Sequence, residues 1–268
     1  FLMYSSFQLG LKYLNYYFTA ANGKGHGIHS PFVFDLVVKV LNDKTNYAAY
    51  KEVELQRSLL LGNETIITVE DFGAGSTKGL TRQRVVQQIA ATSLKPKKYA
   101  QLLYRLANYF QPTQILELGT SLGITTAYLA KAKPTAVVTT MEGSYTIAKI
   151  AEENFQRLLL QNIRIVTGNF DETLASTIAS ASQSFNFVFI DGNHRKEPTL
   201  RYFEQLLAMA DRNTVFVFDD IHWSKEMEEA WEELKQHPSV TLTIDLFFIG
   251  LVFLRKEQKA KEHFVIRF

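Results

Sequence analysis

The apolar positions of the chain change rhythm near residue 113. Before it they recur at helical spacing. Phe7, Leu11, Leu14 and Phe18 repeat every three or four residues, which predicts an amphipathic helix over 7–20. "TAANGKGHGIHSPF" (19–32) interrupts it with three glycines. Ser30-Pro31 then predicts a helix start, since serine can cap free N–H groups and proline fits the first helical position. That helix is expected over 31–42. Residues 43–63 read as helix and loop, "TIITVED" (65–71) as a short strand, and 81–92 and 98–110 as helices.

After residue 113, strand-like runs alternate with helical stripes. The runs are "QILEL" (114–118), "AVVTTME" (136–142), "IRIVTG" (163–168), "FNFVFID" (185–191) and "TVFVFDD" (214–220). Between and after them lie Ile147/Ala151/Phe155/Leu158, Leu200/Phe203/Leu207 and Met227/Ala230/Trp231/Leu234. Apolar strands alternating with helices imply a parallel sheet covered on both faces. "VTLTIDLFFIGLVFLR" (240–255) predicts two more strands, an antiparallel hairpin joined near Ile249-Gly250. The expected fold is α/β: a Rossmann-like, doubly wound, mostly parallel seven-stranded sheet with a C-terminal antiparallel hairpin. Residues 1–92 are expected to form a mainly helical extension or lid, and 93–268 the α/β domain.

Composition narrows the classes. The 268 residues are 46% hydrophobic and 21% charged, ordinary for a globular chain with a sizeable core. The net charge of +2 gives no global reason to expect a polyanionic partner. There is no cysteine, which excludes a disulfide scaffold, thiolate zinc and a thiol nucleophile, and fits a cytoplasmic location. No run approaches the roughly 18–20 apolar residues of a membrane span, so no membrane association is expected. The first residues lack a basic head and a small-residue cleavage site, so no signal peptide is expected either.

Two stretches compete as a nucleotide-binding turn. "VEDFGAGSTKG" (69–79) and "QILELGTSLGI" (114–124) both place an acid and spaced glycines after an apolar run. A doubly wound sheet binds its ligand where the first strand turns into a helix, and an acid ending the next strand grips ribose hydroxyls. The second stretch passes this test: Glu117, Gly119 and Gly123 are followed by a helical segment, and Glu142 ends the next strand. A third strand ends in Gly168-Asn169-Phe170, where an adenine can be flanked. The first stretch has no acid between Phe72 and Leu116 to do this. It reads as a glycine-rich surface loop, or as a loop near the mouth of a substrate site. The four-residue glycine spacing matches neither the dinucleotide fingerprint nor a phosphate loop.

Residues 93–255 resemble the class I S-adenosylmethionine (SAM)-dependent methyltransferases. "LELGTSLGITT" is similar to their first motif, "TTMEG" to their ribose-binding acid and "FVFIDGNH" to their fourth strand. Within that class the chain resembles small-molecule O-methyltransferases, with D-G-x-H after strand four and D-D after strand five. The resemblance implies that Glu117, Gly119, Thr120, Ser121 and Gly123 shape the loop around the methionine part of SAM. It further implies that Thr125 meets the carboxylate, that Glu142 holds the ribose, and that Asn169 and Phe170 border the adenine. A Gly-Gly before strand five is missing; "DRNT" (211–214) stands there.

Methyl transfer to oxygen needs a placed hydroxyl that loses its proton. Asp191 ends the fourth run, and Asp219 and Asp220 end the fifth. Converging carboxylates repel one another unless a cation or a proton relieves them. These three are therefore the candidate ligands of Mg²⁺ or another divalent cation. The competing reading is that Asp191 contacts the cofactor and that Asp219 or Asp220 caps a helix. His194 and His222 are the candidate bases, each also readable as a structural residue. Trp223 reads as a packing residue or a wall of the acceptor pocket.

The remaining features concern partners. His26 and His29 lie in a stretch readable as a lid or as a connector. Lys78, Arg82, Arg84, Lys95, Lys97, Lys98 and Arg105 fall in the acid-free segment 72–116 and would favour an anionic small-molecule acceptor, or simply a solvated face. A homodimer is compatible with such an extension. A nucleic-acid methyltransferase and a non-catalytic SAM-binding module are the alternatives. The first is disfavoured because "DGNH" stands where amino-methylating enzymes carry [DN]-P-P-[YF].

Overall fold

A computed structural model of the chain describes residues 3–71, 80–255 and 260–268. Helices α1 (Ser6–Thr19), α2 (Pro31–Leu36), which continues as a π-helical turn Val37–Leu41, and α3 (Ala48–Leu61) come first. Strands β1 (Ile66–Asp71) and β2 (Leu80–Val85) precede helices α4 (Val86–Ser93) and α5 (Lys97–Phe110). The alternation then runs β3 (Gln114–Leu118), α6 (Ile124–Ala132), β4 (Val137–Glu142), α7 (Tyr145–Arg157), β5 (Ile163–Thr167), α8 (Phe170–Ser180) and β6 (Phe187–Ile190). It continues as α9 (Lys196–Leu207), β7 (Val215–Asp219), α10 (Lys225–Gln236), β8 (Leu242–Asp245), β9 (Ile249–Phe253) and β10 (Glu262–Val265). The fold is α/β with a mostly parallel sheet, as the alternation of strand and helix implies.

The chain divides into two compact units, residues 44–185 and residues 1–43 with 186–268. In the unit of residues 44–185, β3 pairs in parallel with β4, and β4 with β5. Strand β3 is apolar and almost wholly buried, and helix α6 is buried along nearly all its length. A strand buried on both faces reads as a continuous apolar run, which is why "QILEL" is legible as one. Residues 81–85, read from sequence as the start of a helix, instead belong to β2, which pairs antiparallel with β1 from Ile66↔Val85 to Asp71↔Leu80. The helix begins only at Val86. The stretch 72–79, which joins β1 to β2 and holds Lys78 and the first glycine-rich loop, lies outside the described residues.

In the other unit, β6 and β7 are parallel, β9 is antiparallel to both β7 and β8, and β10 runs parallel to β8. The edge strand β10 was not anticipated and makes the strands from β3 onward eight among the described residues rather than seven. Phe187, Phe189, Phe216 and Phe218 are fully buried, with Phe203 and Trp231 of the flanking helices. The β8–β9 connection is Leu246–Phe248, and Gly250 sits inside β9 rather than at the turn. A Cβ at Gly250 would lie 2.6 Å from Cζ3 of buried Trp231, so the glycine marks a close approach of helix to strand.

Helix α1 is amphipathic, but its faces are reversed from the simplest reading. Leu9, Tyr13 and Tyr16 pack with Ala20, Phe247 and Phe248, while Phe7, Leu11, Leu14 and Phe18 are exposed. A capping box of Ser5 and Gln8 starts the helix. At α2, Ser30 makes no side-chain cap; Pro31 alone marks the start. No helix among the described residues is long and apolar enough to cross a membrane.

Candidate active site

The loop after β3 is built around two carboxylates in the unit of residues 44–185. Glu117 is completely buried near the end of β3. Its Oε2 accepts hydrogen bonds from the Thr126 hydroxyl and, at 2.6 Å, from the Thr140 hydroxyl. Its Oε1 is buried without a hydrogen-bond partner among the described residues, as is the Ser121 hydroxyl oxygen. Burial pushes the Glu117 carboxyl up to about 7, against the two hydroxyl donors that favour its ionised form. Glu142, at the end of β4, accepts from the Ser121 N–H at 2.8 Å through Oε2 and from the Ser144 N–H at 3.0 Å through Oε1. Burial raises its pKa too, and the surrounding backbone N–H groups oppose that rise. The second carboxylate is thereby locked to the loop that the first one underlies.

The backbone of this loop explains its glycines. The N–H groups of Gly119 and Thr120 both donate to the Met141 carbonyl, at 3.0 and 3.1 Å. The Thr120 and Thr140 hydroxyls share a 2.6 Å hydrogen bond. Gly119 (φ 108°), Ser121 (φ 48°) and Gly123 (φ 80°) are left-handed. A Cβ at Gly123 would stand 2.5 Å from the Phe155 ring, so this position demands glycine twice over. Thr125 is buried in the first turn of α6.

Beyond β5, the Gly168 N–H donates to the Glu142 carbonyl at 2.9 Å, which brings the start of α8 beside Glu142. Asn169 caps α8 through its side chain, accepting from the Asp171 N–H, and half-buried Phe170 opens the helix. Sequence reasoning missed a buttress behind the loop. Buried Gln56 of α3 donates to the Asn154 Oδ1 at 2.7 Å, and Asn154 donates to the Leu122 carbonyl at 2.9 Å. Two polar residues on otherwise apolar helix faces were the available signal. A cleft of about 650 Å³ also opens in this unit, lined by residues such as Glu52, Lys131 and Leu159, and it shares no residue with the loop.

The acids after β6 and β7 lie in the other unit. Asp191, His194 and Asp219 each offer a ligand atom within 4.8 Å of the others. His194 Nε2 is 3.5 Å from Asp191 Oδ1. Asp219 is buried at the end of β7. Asn193 (φ 68°) and His194 (φ 33°) are consecutive left-handed non-glycine residues, a strained turn that presents the imidazole back to Asp191. Asp220 is not in this group. It too is left-handed (φ 52°), and its N–H donates to the Phe248 carbonyl at 2.7 Å.

His222 lies in a separate charge cluster. Its Nε2 is 2.7 Å from Asp245 Oδ2 and its Nδ1 3.1 Å from Glu228 Oε1, with the ring stacked on Phe247. Burial disfavours the charged ring, but the two carboxylates outweigh it and raise its pKa. Glu228 also takes the Lys12 ammonium and the Tyr4 hydroxyl, so this cluster ties α1 to α10 and β8. Trp223 donates its indole N–H to the Met3 sulfur at 3.2 Å. His26 and His29 are exposed, and Arg105 is turned inside α5 rather than onto a basic surface.

A family described as a methyltransferase domain matches residues 116–221, which run from the Glu117 loop to the residues after Asp219 and Asp220. That match covers less than half of the 268-residue chain. The chain is 32% identical over 135 residues to a catechol O-methyltransferase of Niastella koreensis, covering 49% of this chain and 59% of that protein. It is 33% identical over 118 residues to one of Mycobacterium tuberculosis, covering 43% and 51%. The methyltransferase match thus spans a little over half the length of these curated relatives. An O-methyltransferase of Bacillus cereus, solved in complex with SAH, shares the fold with a TM-score of 0.56 and 22% identity, over 83% of this chain and 97% of that one.

Proposed function

We propose that this chain is a SAM-dependent O-methyltransferase acting on a small hydroxylated molecule. The observation that carries the reading is the loop of Glu117, Ser121 and Glu142. Two buried oxygens there, Glu117 Oε1 and Ser121 Oγ, have no hydrogen-bond partner among the described residues, which a native fold rarely tolerates without a ligand. The SAM ammonium would donate to Glu117 Oε1 and favour its ionised form. Each Glu142 oxygen accepts one backbone N–H and keeps acceptor capacity for a ribose hydroxyl. Thr125 would meet the carboxylate, and Asn169 and Phe170 would border the adenine. SAM gives up its methyl group and is a substrate of the reaction.

His194 is the proton acceptor in this reading, with Asp191 beside its ring. The acceptor's O–H proton passes to the imidazole. The oxygen's electron pair forms the new O–C bond as the C–S bond breaks, and the C–S bonding pair stays on sulfur, leaving a neutral thioether. His222 is the weaker candidate, because both its nitrogens are engaged by carboxylates. The donor set of Asp191 and Asp219, with His194 beside them, fits a divalent cation. Such a cation would lower the pKa of the acceptor hydroxyl.

The likeness to catechol O-methyltransferases makes vicinal dihydroxy aromatics the first acceptors to test. The test is methyl transfer from labelled SAM to a catechol panel, with Mg²⁺ or with chelator, beside calorimetry with SAH. Transfer to a hydroxyl supports the reading. Absence of binding by both SAM and SAH would overturn it.

A further inference from the structure

We propose that α1 is a self-association face through which two copies of this chain pair antiparallel. The proposal is independent of the methyl-transfer reading. Phe7, Leu11, Leu14 and Phe18 are 75%, 52%, 52% and 77% exposed. Their four–three–four spacing places them along one stripe of a helix, as in a coiled-coil seam. The opposite face is anchored in its own unit by Leu9, Tyr13 and Tyr16, so the helix cannot roll to hide the stripe without leaving that core.

The order of the stripe is what points to a second copy. Read in either direction it is Phe, Leu, Leu, Phe. About a two-fold axis, Phe7 meets the partner's Phe18 and Leu11 meets the partner's Leu14, the reciprocal pattern an isologous contact requires. Gly10 lies at the flank of the stripe, is exposed, and has nothing within 4 Å of an added Cβ. A mid-helix glycine costs roughly 1 kcal/mol relative to alanine. No close contact among the described residues requires one there, whereas a second helix packed against the face would.

Area and charge agree. With aromatic side chains covering roughly 150–250 Å² each, the four residues and half-exposed Tyr17 present on the order of 500 Å² per copy. Pairing would then bury about 1,000 Å² in total, at the threshold for a specific interface. Helix α1 carries no acid and a single base, Lys12, which is committed to Glu228. Two such faces do not repel one another. The same lack of basic residues argues against a lipid surface, whose amphipathic helices carry a Lys/Arg-rich polar face.

The test is sedimentation velocity of the full chain over a range of concentrations, with Leu11→Glu and Leu14→Arg made separately. Both positions are exposed, and circular dichroism should show unchanged folding. The wild type should move from one to two chain masses as concentration rises, and each variant should associate at least tenfold more weakly. An equimolar mixture of the two variants should regain the dimer, because antiparallel pairing sets the acid introduced at position 11 of one copy against the base introduced at position 14 of the other. A wild type that stays monomeric, or single variants that dimerise undiminished, would overturn the proposal. So would a mixture that fails to recover, or wild-type binding to vesicles of half anionic lipid without self-association.

Discussion

Glu117→Gln should make the protein more stable than wild type in alkaline solution and should give little or no gain in acid. The wild-type carboxyl is buried, and its pKa stands at about 7 against an ordinary 4.5. Below the unfolded value, both states hold the proton and burial costs nothing extra. Between the two values the unfolded chain ionises while the folded one keeps its proton, so stability falls as pH rises. Above the folded value the full difference is lost, about 3 kcal/mol at roughly 1.4 kcal/mol per pK unit. Glutamine never ionises, and its carbonyl can accept from Thr126 and Thr140 where Oε2 now does. Urea denaturation of both proteins at about pH 5 and about pH 8.5 gives the stability difference at each. Groups common to both cancel, so the change in that difference belongs to position 117. At about 2–4 °C per kcal/mol the melting temperatures should diverge by several degrees. A difference that stays flat across that range would refute the burial argument.

Gly123→Ala should abolish SAH binding by calorimetry and lower the melting temperature. It adds about 1–2 kcal/mol for a left-handed alanine to a 2.5 Å clash with Phe155. Asn154→Ala should cost about 2–4 kcal/mol in urea unfolding, because it strands both buried Gln56 Nε2 and the Leu122 carbonyl. His222 has a raised folded pKa, so its stabilisation is present below its unfolded value and fades as pH rises through the folded one. Asp245→Asn should flatten that decline in a stability–pH series. Asp191→Asn should remove Mn²⁺ binding in a calorimetric titration while Asp220→Asn leaves it, since Asp220 is outside the ligand group.

What was legible in the sequence is what periodicity and glycine encode directly. Strands β3, β4, β6 and β7 are largely buried runs bounded by polar turns, β5 is a partly exposed one, and the α/β alternation follows from them. Helix α1 shows where that logic stops. Its stripe of Phe7, Leu11, Leu14 and Phe18 carries the strongest apolar signal in the segment, yet it faces outward, because Tyr13 and Tyr16 pair their rings with Phe247 on the other side. Periodicity reports that a helix has two faces; it does not report which one finds a partner inside the same chain. The helix expected from residue 81 failed over 81–85 for a different reason. A short, charged strand such as "LTRQRV" takes its conformation from pairing with β1, which no local propensity encodes.

At the candidate site the same division separates residue type from direction. Asp191, His194, Asp219 and Asp220 were all visible as strand-end chemistry, and the sequence had no means of ranking Asp219 against Asp220. The ranking comes from backbone handedness. Asp219 is the last residue of a buried strand, whereas Asp220 turns left-handed to donate its N–H to Phe248. A single residue of register and one sign of φ thus place one carboxylate beside Asp191 and His194 and leave the next outside that cluster. His222 falls to the same logic. Two residues after Asp220 it meets Asp245 and Glu228, acids from β8 and α10 that no motif around "DDIHWS" announces, and they engage both ring nitrogens of this candidate base.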